Sequence, residues 1–450
     1  MNTLRYTSAL LLTLMLSVHN CMCHECTDLL LRSQTYLHSN QPQDDSTYRK
    51  HGFSFTPIPA LSYNSDLGFQ LGAILDMYWF GDGSTYPEYC HKLTAEACYF
   101  TKGSGIYYLF YDSKYLLPQL RVTASATYLP NTMMSFHGFN GYVSPYRREE
   151  NDGFYAIDRN LLRIMFDIQG KITGNLGWAA GIAFFNYDTG RIKVSKYRDD
   201  TTLYDLYRRY GIIYENESRG GNHIELRAGL VYDTRDHEPD PMHGIYADMI
   251  VYGSPDIIDQ HGYNYMKMAV SFRHYVPLVQ NRLTLAYRLC WQGTVAGSTP
   301  FYVQQNYTTL FLRQINSDIL GGTISLRGIL YNRIVGDGMA WTNVELRWRM
   351  FEFRLFGQEW YLTLNPFFDA GLTTDPFRME EMKAVGNDMS IPISDREKIY
   401  SGQPENLHMS AGLGIKIVMN RNLVLSVEYG MPFDRRDGTN GLYLNINYIF

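Results

Sequence analysis

The sequence predicts an all-β protein, a transmembrane antiparallel β-barrel of about 16 strands with a long loop between strands 11 and 12 folded into the lumen. Three observations support this. Apolar and polar residues alternate with a period of two in about sixteen segments, short and long connections alternate, and the chain opens on an apolar run typical of exported proteins. A net charge of -5 gives no basic surface, so nucleic acid is not a predicted partner.

The N-terminal segment, residues 1–23, is predicted to be a secretory signal peptide. Its apolar run, Ser8 to Val18, is too short to span a bilayer as a helix, which needs about 20 residues. Polar residues stand where small ones are expected at the cleavage site, and a lipid anchor on Cys21 is the alternative. Residues 24–52 are predicted to be a polar linker.

Residues 53–450 are predicted to form the barrel. One face of each segment is apolar and the other is polar or charged, which fits lipid outside and a polar lumen. A soluble β protein is the alternative, although a charged second face suits the middle of a sandwich poorly. The predicted strands are 53–64, 67–80, 91–102, 104–114, 119–129, 159–172, 175–187, 222–234, 243–253, 262–276, 281–295, 339–352, 358–371, 407–419, 422–431 and 441–450.

The first strand contains Pro57 and Pro59, which are two residues apart. Their missing N–H groups therefore lie on the same edge, and proline in a strand favours an edge or a weakly paired seam. In a closed barrel this strand meets the last one, so we expect weak pairing there. The alternative is a strand that starts after Pro59.

The loop between strands 11 and 12 carries Gly321-Gly322 and then Leu326-Arg327-Gly328-Ile329. Glycine permits close backbone approach and positive φ. On the thirteenth strand, alternation places Asp369 in the lumen, where a folded-back loop would bring Arg327 to it. Glu345 and Arg347 on the twelfth strand are further candidates for this network. The alternative is an ordinary exposed arginine on a surface loop.

Four motifs resemble the BamA/TamA superfamily of outer-membrane barrels, the bacterial surface antigen barrel domain, and they follow one another along the chain in the order that the superfamily has. They are the arginine-glycine tip of the loop, the Phe368-Asp369-Ala370-Gly371 strand, the final strand ending in Phe450, and the turn with Asp233, Arg235, Asp236 and Gly244. The resemblance implies a bacterial outer-membrane location, a loop anchored in the lumen, a final strand read as an insertion signal, and a seam between first and last strands that opens sideways.

The chain departs from the family in one respect. Members that fold or translocate proteins carry periplasmic POTRA domains, and the polar linker is too short for one, so we expect a POTRA-less member. An envelope protein partner would then replace those domains, with outer-membrane lipid as the second partner.

Motifs of enzyme or cofactor sites are not found. The cysteines and histidines have no metal-ligand spacing, and neither a GxSxG elbow nor a phosphate loop occurs, so we expect no cofactor and no catalysis. A hydrolase assembled from separate strands is the weakest alternative. The leading hypothesis is a barrel that assists assembly or transport of outer-membrane components. The alternatives are a passive or gated pore and a structural subunit of an envelope complex.

Overall fold

The computed structural model describes residues 51–450 except 66, 86–87, 198–199, 239, 259–261, 307–318, 356–357, 420, 422 and 447. The predicted signal peptide, and all of the predicted linker but its last two residues, lie outside the described residues. Sixteen antiparallel strands form one closed barrel, in which each strand pairs with its neighbours in sequence and β1 pairs with β16. The predicted fold class is confirmed.

The sixteen strands correspond one to one with the predicted segments. They are β1 (Phe53–Asn64), β2 (Gly68–Trp79), β3 (His91–Phe100), β4 (Ser104–Leu117), β5 (Leu120–Ser135), β6 (Ala156–Thr173), β7 (Leu176–Gly190), β8 (Gly220–Asp233), β9 (Gly244–Ser254), β10 (Tyr265–Val279), β11 (Leu283–Gly297), β12 (Gly338–Leu355), β13 (Gln358–Asp375), β14 (His408–Met419), β15 (Leu423–Pro432) and β16 (Gly441–Ile446). The helices are α1 (Leu203–Arg209), α2 (Phe301–Gln304), α3 (Met379–Asn387) and α4 (Ile393–Ile399).

Alternation along each strand sorts the side chains between lipid and lumen. On β6, Ile164 and Phe166 are 49% and 46% exposed on the outer surface, whereas Arg163 and Asp167 are buried inside. A slip of one residue would exchange these faces and move charge into lipid, so the pattern itself specifies the register.

The longest connections follow odd-numbered strands and meet at one end of the barrel. Five of them pack together into a cap, here called the dome: residues 136–155, 191–219, 298–337, 376–407 and 433–440. Its core is aromatic, and rings from four of the five loops contact one another at the centre, namely Phe136, Phe139, Tyr207, Phe301 and Phe377. The loop 191–219 buries α1 in the dome.

A buried ion pair also holds the dome together. The Arg378 guanidinium donates to Glu217, whose other oxygen accepts the backbone N–H of Phe301 at 2.9 Å. These contacts join three of the five loops. Among the described residues, every helix is too short or too polar to cross a membrane.

The seam between β1 and β16 is short. Only Tyr63 and Asn64 of β1 pair with β16, opposite Leu444 and Tyr443, whereas β1 pairs with β2 along its whole length. The Ser65 N–H donates to the Leu442 carbonyl at 3.2 Å. Alternation from Ser65 places the missing N–H groups of two prolines, Pro57 and Pro59, on this same edge. Since β1 begins at Phe53, the alternative of a strand that starts after Pro59 does not hold.

The predicted end of β16 is wrong. The strand ends at Ile446, and Tyr448 and Phe450 lie inside the barrel instead of facing lipid. The register explains why: a longer ladder would set Pro59 opposite Tyr448 and Pro57 opposite Phe450. Because proline has no backbone N–H, neither residue could donate a hydrogen bond to β16 at these positions.

Replacing Pro57 and Pro59 together by valine restores both donors. We then expect β16 to extend along β1 and the tail to leave the lumen. The test is a disulfide between Ile58→Cys and Ile449→Cys in a cysteine-free background, because these two positions face each other only in the extended ladder. The disulfide should form in the valine variant. It should stay at background level when both prolines are present. Pro277→Val, away from the seam, is the control. Equal cross-linking in all three proteins would contradict the explanation.

Candidate functional site

The loop between β11 and β12 folds back into the barrel. Gly321, Gly322 and Gly328 have φ of +112°, +85° and +88°, a region that glycine enters without strain. The Ser325 hydroxyl donates to the Ile319 carbonyl at 2.8 Å and accepts the Gly321 N–H at 3.0 Å. The tip is therefore a compact turn with its own internal hydrogen bonds.

Arg327, at this tip, is 0% exposed and faces β13. Its Nε and Nη2 donate to Asp369 Oδ2 and Oδ1, each at 2.9 Å, and its backbone N–H donates to Oδ2 at 3.0 Å. Its Nη1 donates to Glu345 Oε1 at 2.7 Å and to Glu428 Oε1 at 2.8 Å. One guanidinium thus contacts carboxylates from β12, β13 and β15, which makes strong charge-assisted bonds.

Two further cations balance these three carboxylates. The Arg347 Nε donates to Glu345 Oε2 at 2.9 Å, and the Lys416 Nζ donates to Glu428 Oε1 at 2.9 Å. Three negative and three positive side chains, all nearly without exposure, form one neutral cluster. We call Arg327, Glu345, Arg347, Asp369, Lys416 and Glu428 the lumenal network.

Close backbone packing seats the loop against the last two strands. A Cβ on Gly328 would lie 2.5 Å from the Gly430 carbonyl carbon, and one on Gly430 would lie 2.8 Å from the Arg327 oxygen. The Gly328 N–H donates to the Tyr443 hydroxyl at 3.1 Å. The Phe367 ring centroid lies 3.6 Å from the Arg327 guanidinium carbon. The loop tip therefore touches β16, one of the two seam strands.

The C-terminal tail lies on the same network. The Tyr448 ring centroid is 3.9 Å from the Arg347 guanidinium carbon and 4.3 Å from the Lys416 ammonium. Arg347 Nη2 donates to the backbone oxygen of Phe450 at 2.8 Å, and the Phe450 ring lies near Tyr275 and Arg288. These cation–π contacts stabilise the tail in this position.

A second buried arginine of the loop connects the tip to the dome. Arg333 is 1% exposed and donates to three backbone carbonyls, those of Gly141 at 2.9 Å, Ser144 at 3.1 Å and Arg436 at 3.1 Å. The loop thus has one charged anchor in the lumen and another among the loops above it.

The turn between β8 and β9 lies at the opposite end of the barrel from the dome. Arg235 pairs with Asp233 at 2.8 Å, and Gly244 opens β9 with φ of +107°. Asp236 accepts the Met242 and His243 N–H groups and a hydrogen bond from Arg421 at 2.7 Å. Against the opposing effect of burial, these donors hold the pKa of Asp236 below its ordinary value. The turn also inserts Asp240, which accepts from Arg349 at 2.6 Å.

The predicted site residues therefore fall into three groups. Arg327, Gly328, Asp369, Glu345 and Arg347 are brought together, and Gly321 and Gly322 shape the loop that carries them. Pro57 and Pro59 lie on the seam, and the turn residues lie at the far end. Phe450, expected at the seam, contacts the network instead.

Sequence reasoning missed four members of the site: Lys416, Glu428, Tyr443 and Arg333. Glu428 and Tyr443 lie on faces whose polar alternation was recognised, but the partners of a lumenal side chain depend on the stagger between strands. Arg333 carried no signal, because its partners are backbone carbonyls of other loops.

The geometry suits mechanical anchoring and coupling. Lumen-facing residues near the network are almost fully covered, so the loop tip and the tail fill this part of the barrel. No group of side chains suited to holding a metal ion occurs among the described residues.

Comparison with known proteins supplies the family context. The profile of the Omp85 superfamily domain matches residues 93–450. The crystal structure of BamA from Haemophilus ducreyi lacking POTRA domains 1-3 is 15% identical with a TM-score of 0.56, and the match covers 94% of this chain and 77% of that one. CdiB from Escherichia coli is 12% identical with a TM-score of 0.55, over 87% of this chain and 62% of that one. Such low identity shows a shared fold alone. A search of the curated proteins gives no significant match.

Arg327→Ala should lower the free energy of unfolding by about 3 to 5 kcal/mol, because it strands buried carboxylates without their cation. Arg147→Ala is the control: that side chain is 32% exposed and pairs with Glu397 at the surface, so about 0 to 1 kcal/mol is expected. Urea unfolding in detergent micelles measures both. Equal midpoints would mean that the loop is not anchored by its arginine.

Gly430→Ala should cost about 1 to 3 kcal/mol, because the new methyl group meets the Arg327 backbone. Gly190→Ala is the matched control, since a Cβ there meets nothing within 4 Å. The same urea titration compares them. A stable Gly430→Ala protein would show that the loop does not press on β15.

Proposed function

Because the chain belongs to the Omp85 superfamily of outer-membrane β-barrels, we propose that it assists assembly or transport of outer-membrane components through the seam between β1 and β16. The predicted family resemblance is confirmed. The proposed action is not enzymatic: an open strand edge and the local disturbance of the bilayer guide a client protein or lipid.

The two-residue pairing of β1 with β16 carries this proposal. Along Phe53 to Ser62 the edge of β1 that faces the seam has no ladder partner in β16. Unpaired backbone polar groups are costly in hydrocarbon, and an unpaired edge is a template for another strand. A client strand adding to β1 would bond the carbonyls of this edge and its N–H groups outside the two prolines, which is recognition by strand addition.

The lumenal network would couple the loop to this seam. The Tyr443 hydroxyl bonds the loop tip at Gly328, and the tail covers Arg347 and Lys416. Movement of β16 would therefore disturb both contacts. We infer that Arg327 and Asp369 hold the loop in place while the seam strands separate.

A partner is part of the proposal. An envelope protein that delivers the client would act at the end opposite the dome, where β1 begins and β16 ends. Outer-membrane lipid would contact the open edge of β1. Recovery of a stable partner after mild-detergent pulldown, with neither insertase nor channel activity, would favour the structural-subunit alternative.

A passive or gated pore is the second candidate, supported by the loop that fills the lumen like a plug. The two functions differ in a planar bilayer. A pore predicts single-channel conductance that rises when the loop tip is deleted, whereas the seam proposal predicts faster folding of a client barrel into liposomes.

Locking the seam should abolish the proposed activity. In a cysteine-free background, Tyr63→Cys with Leu444→Cys joins a paired position of β1 and β16. Folding of a urea-denatured eight-stranded outer-membrane barrel into liposomes containing the oxidised protein should then slow to the rate in empty liposomes, and reduction should restore it.

The matched control joins Leu413→Cys to Tyr429→Cys, a paired position of β14 and β15 away from the seam. This disulfide should leave the folding rate of the client unchanged. Acceleration by the seam-locked protein equal to that by the control would refute a role of the seam.

A further inference from the structure

A buried histidine joins dome loops that are far apart in the sequence. His408 is 0% exposed at the start of β14, and its Nδ1 lies 2.6 Å from Asp437 Oδ1. Its Nε2 lies 3.3 and 3.4 Å from the two oxygens of Glu405. Tyr142 stacks on the ring with centroids 3.9 Å apart. The imidazole thus has a carboxylate beside each nitrogen.

This geometry favours a protonated ring. Neutral imidazole has one N–H, so its second nitrogen would present a lone pair to a carboxylate oxygen. The imidazolium ion donates from both nitrogens and places a positive charge between two negative ones. Histidine is also the side chain whose ordinary pKa lies nearest to neutral pH.

Other charged and titratable groups also face the cluster. The Tyr142 hydroxyl donates to Asp437 Oδ2 at 2.6 Å, and Arg333 Nε lies 3.7 Å from Asp437 Oδ1. Arg436 lies 3.8 Å from the Tyr142 ring centroid and pairs with Asp434 at 2.6 Å. Arginines and carboxylates do not ordinarily titrate between about pH 6 and 9. His408 is therefore the member whose charge changes.

We propose that protonated His408 is a pH-sensitive latch that holds the 376–407 loop to the 433–440 loop and so keeps the dome closed. Glu405 belongs to the first loop and Asp437 to the second. Loss of the proton leaves one carboxylate facing a lone pair, so the contact between the two loops weakens as the pH rises. The contact between Ser401 N–H and the Val143 carbonyl, at 2.9 Å, does not titrate and keeps the opening local.

Hydrogen exchange of the full chain in lipid nanodiscs tests the latch. Amides in 401–407 and 433–440 should exchange roughly tenfold faster at about pH 9 than at about pH 6, after correction for the intrinsic rate, as expected for loss of one charge-assisted bond. Exchange that does not change with pH would overturn the proposal.

Two variants keep the test specific. His137→Gln is the control, since burial, and then the charge of Arg333, lower the pKa of that dome histidine to about 3. It stays neutral throughout, so the variant should retain the pH dependence of the wild type. His408→Gln replaces the ring by an amide that does not titrate, so exchange in both segments should lose its dependence on pH. Persistent pH dependence in His408→Gln would overturn the latch.

Discussion

The burial of one positive charge organises the C-terminal half of this barrel. A lone guanidinium away from water would cost several kcal/mol, so Arg327 at the loop tip requires compensating charge from the strands around it. Glu345, Asp369 and Glu428 supply that charge from three different strands. Three carboxylates around one cation would repel each other, and the two additional cations of the lumenal network restore neutrality. A requirement set by one side chain thus determines what β12 to β15 present to the lumen.

The same constraint connects regions that have no other reason to move together. Tyr443 and the tail bring the seam to the network, and Arg333 joins the same loop to the dome. The loop is therefore the physical link between the closed end of the barrel and the strand edge that meets lipid. The turn that inserts Asp240 at the opposite end is separate from this network. There Asp240 accepts hydrogen bonds from Arg349 and Arg421.

Alternation predicted all sixteen strands and the faces of their side chains, because a residue shifted by one position would put charge into lipid. It also placed Asp369, Glu345 and Arg347 in the lumen. The same rule failed at Tyr448 and Phe450, where the pattern continues but the ladder cannot, since Pro57 and Pro59 lack the donors. Membership of Lys416 and Glu428 in the network depends on strand stagger, and the contacts of Arg333 depend on how five loops pack. Neither is a periodic property of the sequence, which is why both escaped prediction.

The sequence separation of the contacts around Arg327 has a consequence for how the barrel forms. Its partners lie 18, 42 and 101 residues further along the chain, all within the C-terminal strands, whereas the seam bond from Leu442 to Ser65 spans 377 residues. The entropy lost on closing a loop grows with its length, so the nearer contacts form at lower entropic cost. We infer that β12 to β15 gather around the arginine as a folding unit before β1 and β16 meet. The seam would then be the last joint made in a structure that is already held together elsewhere.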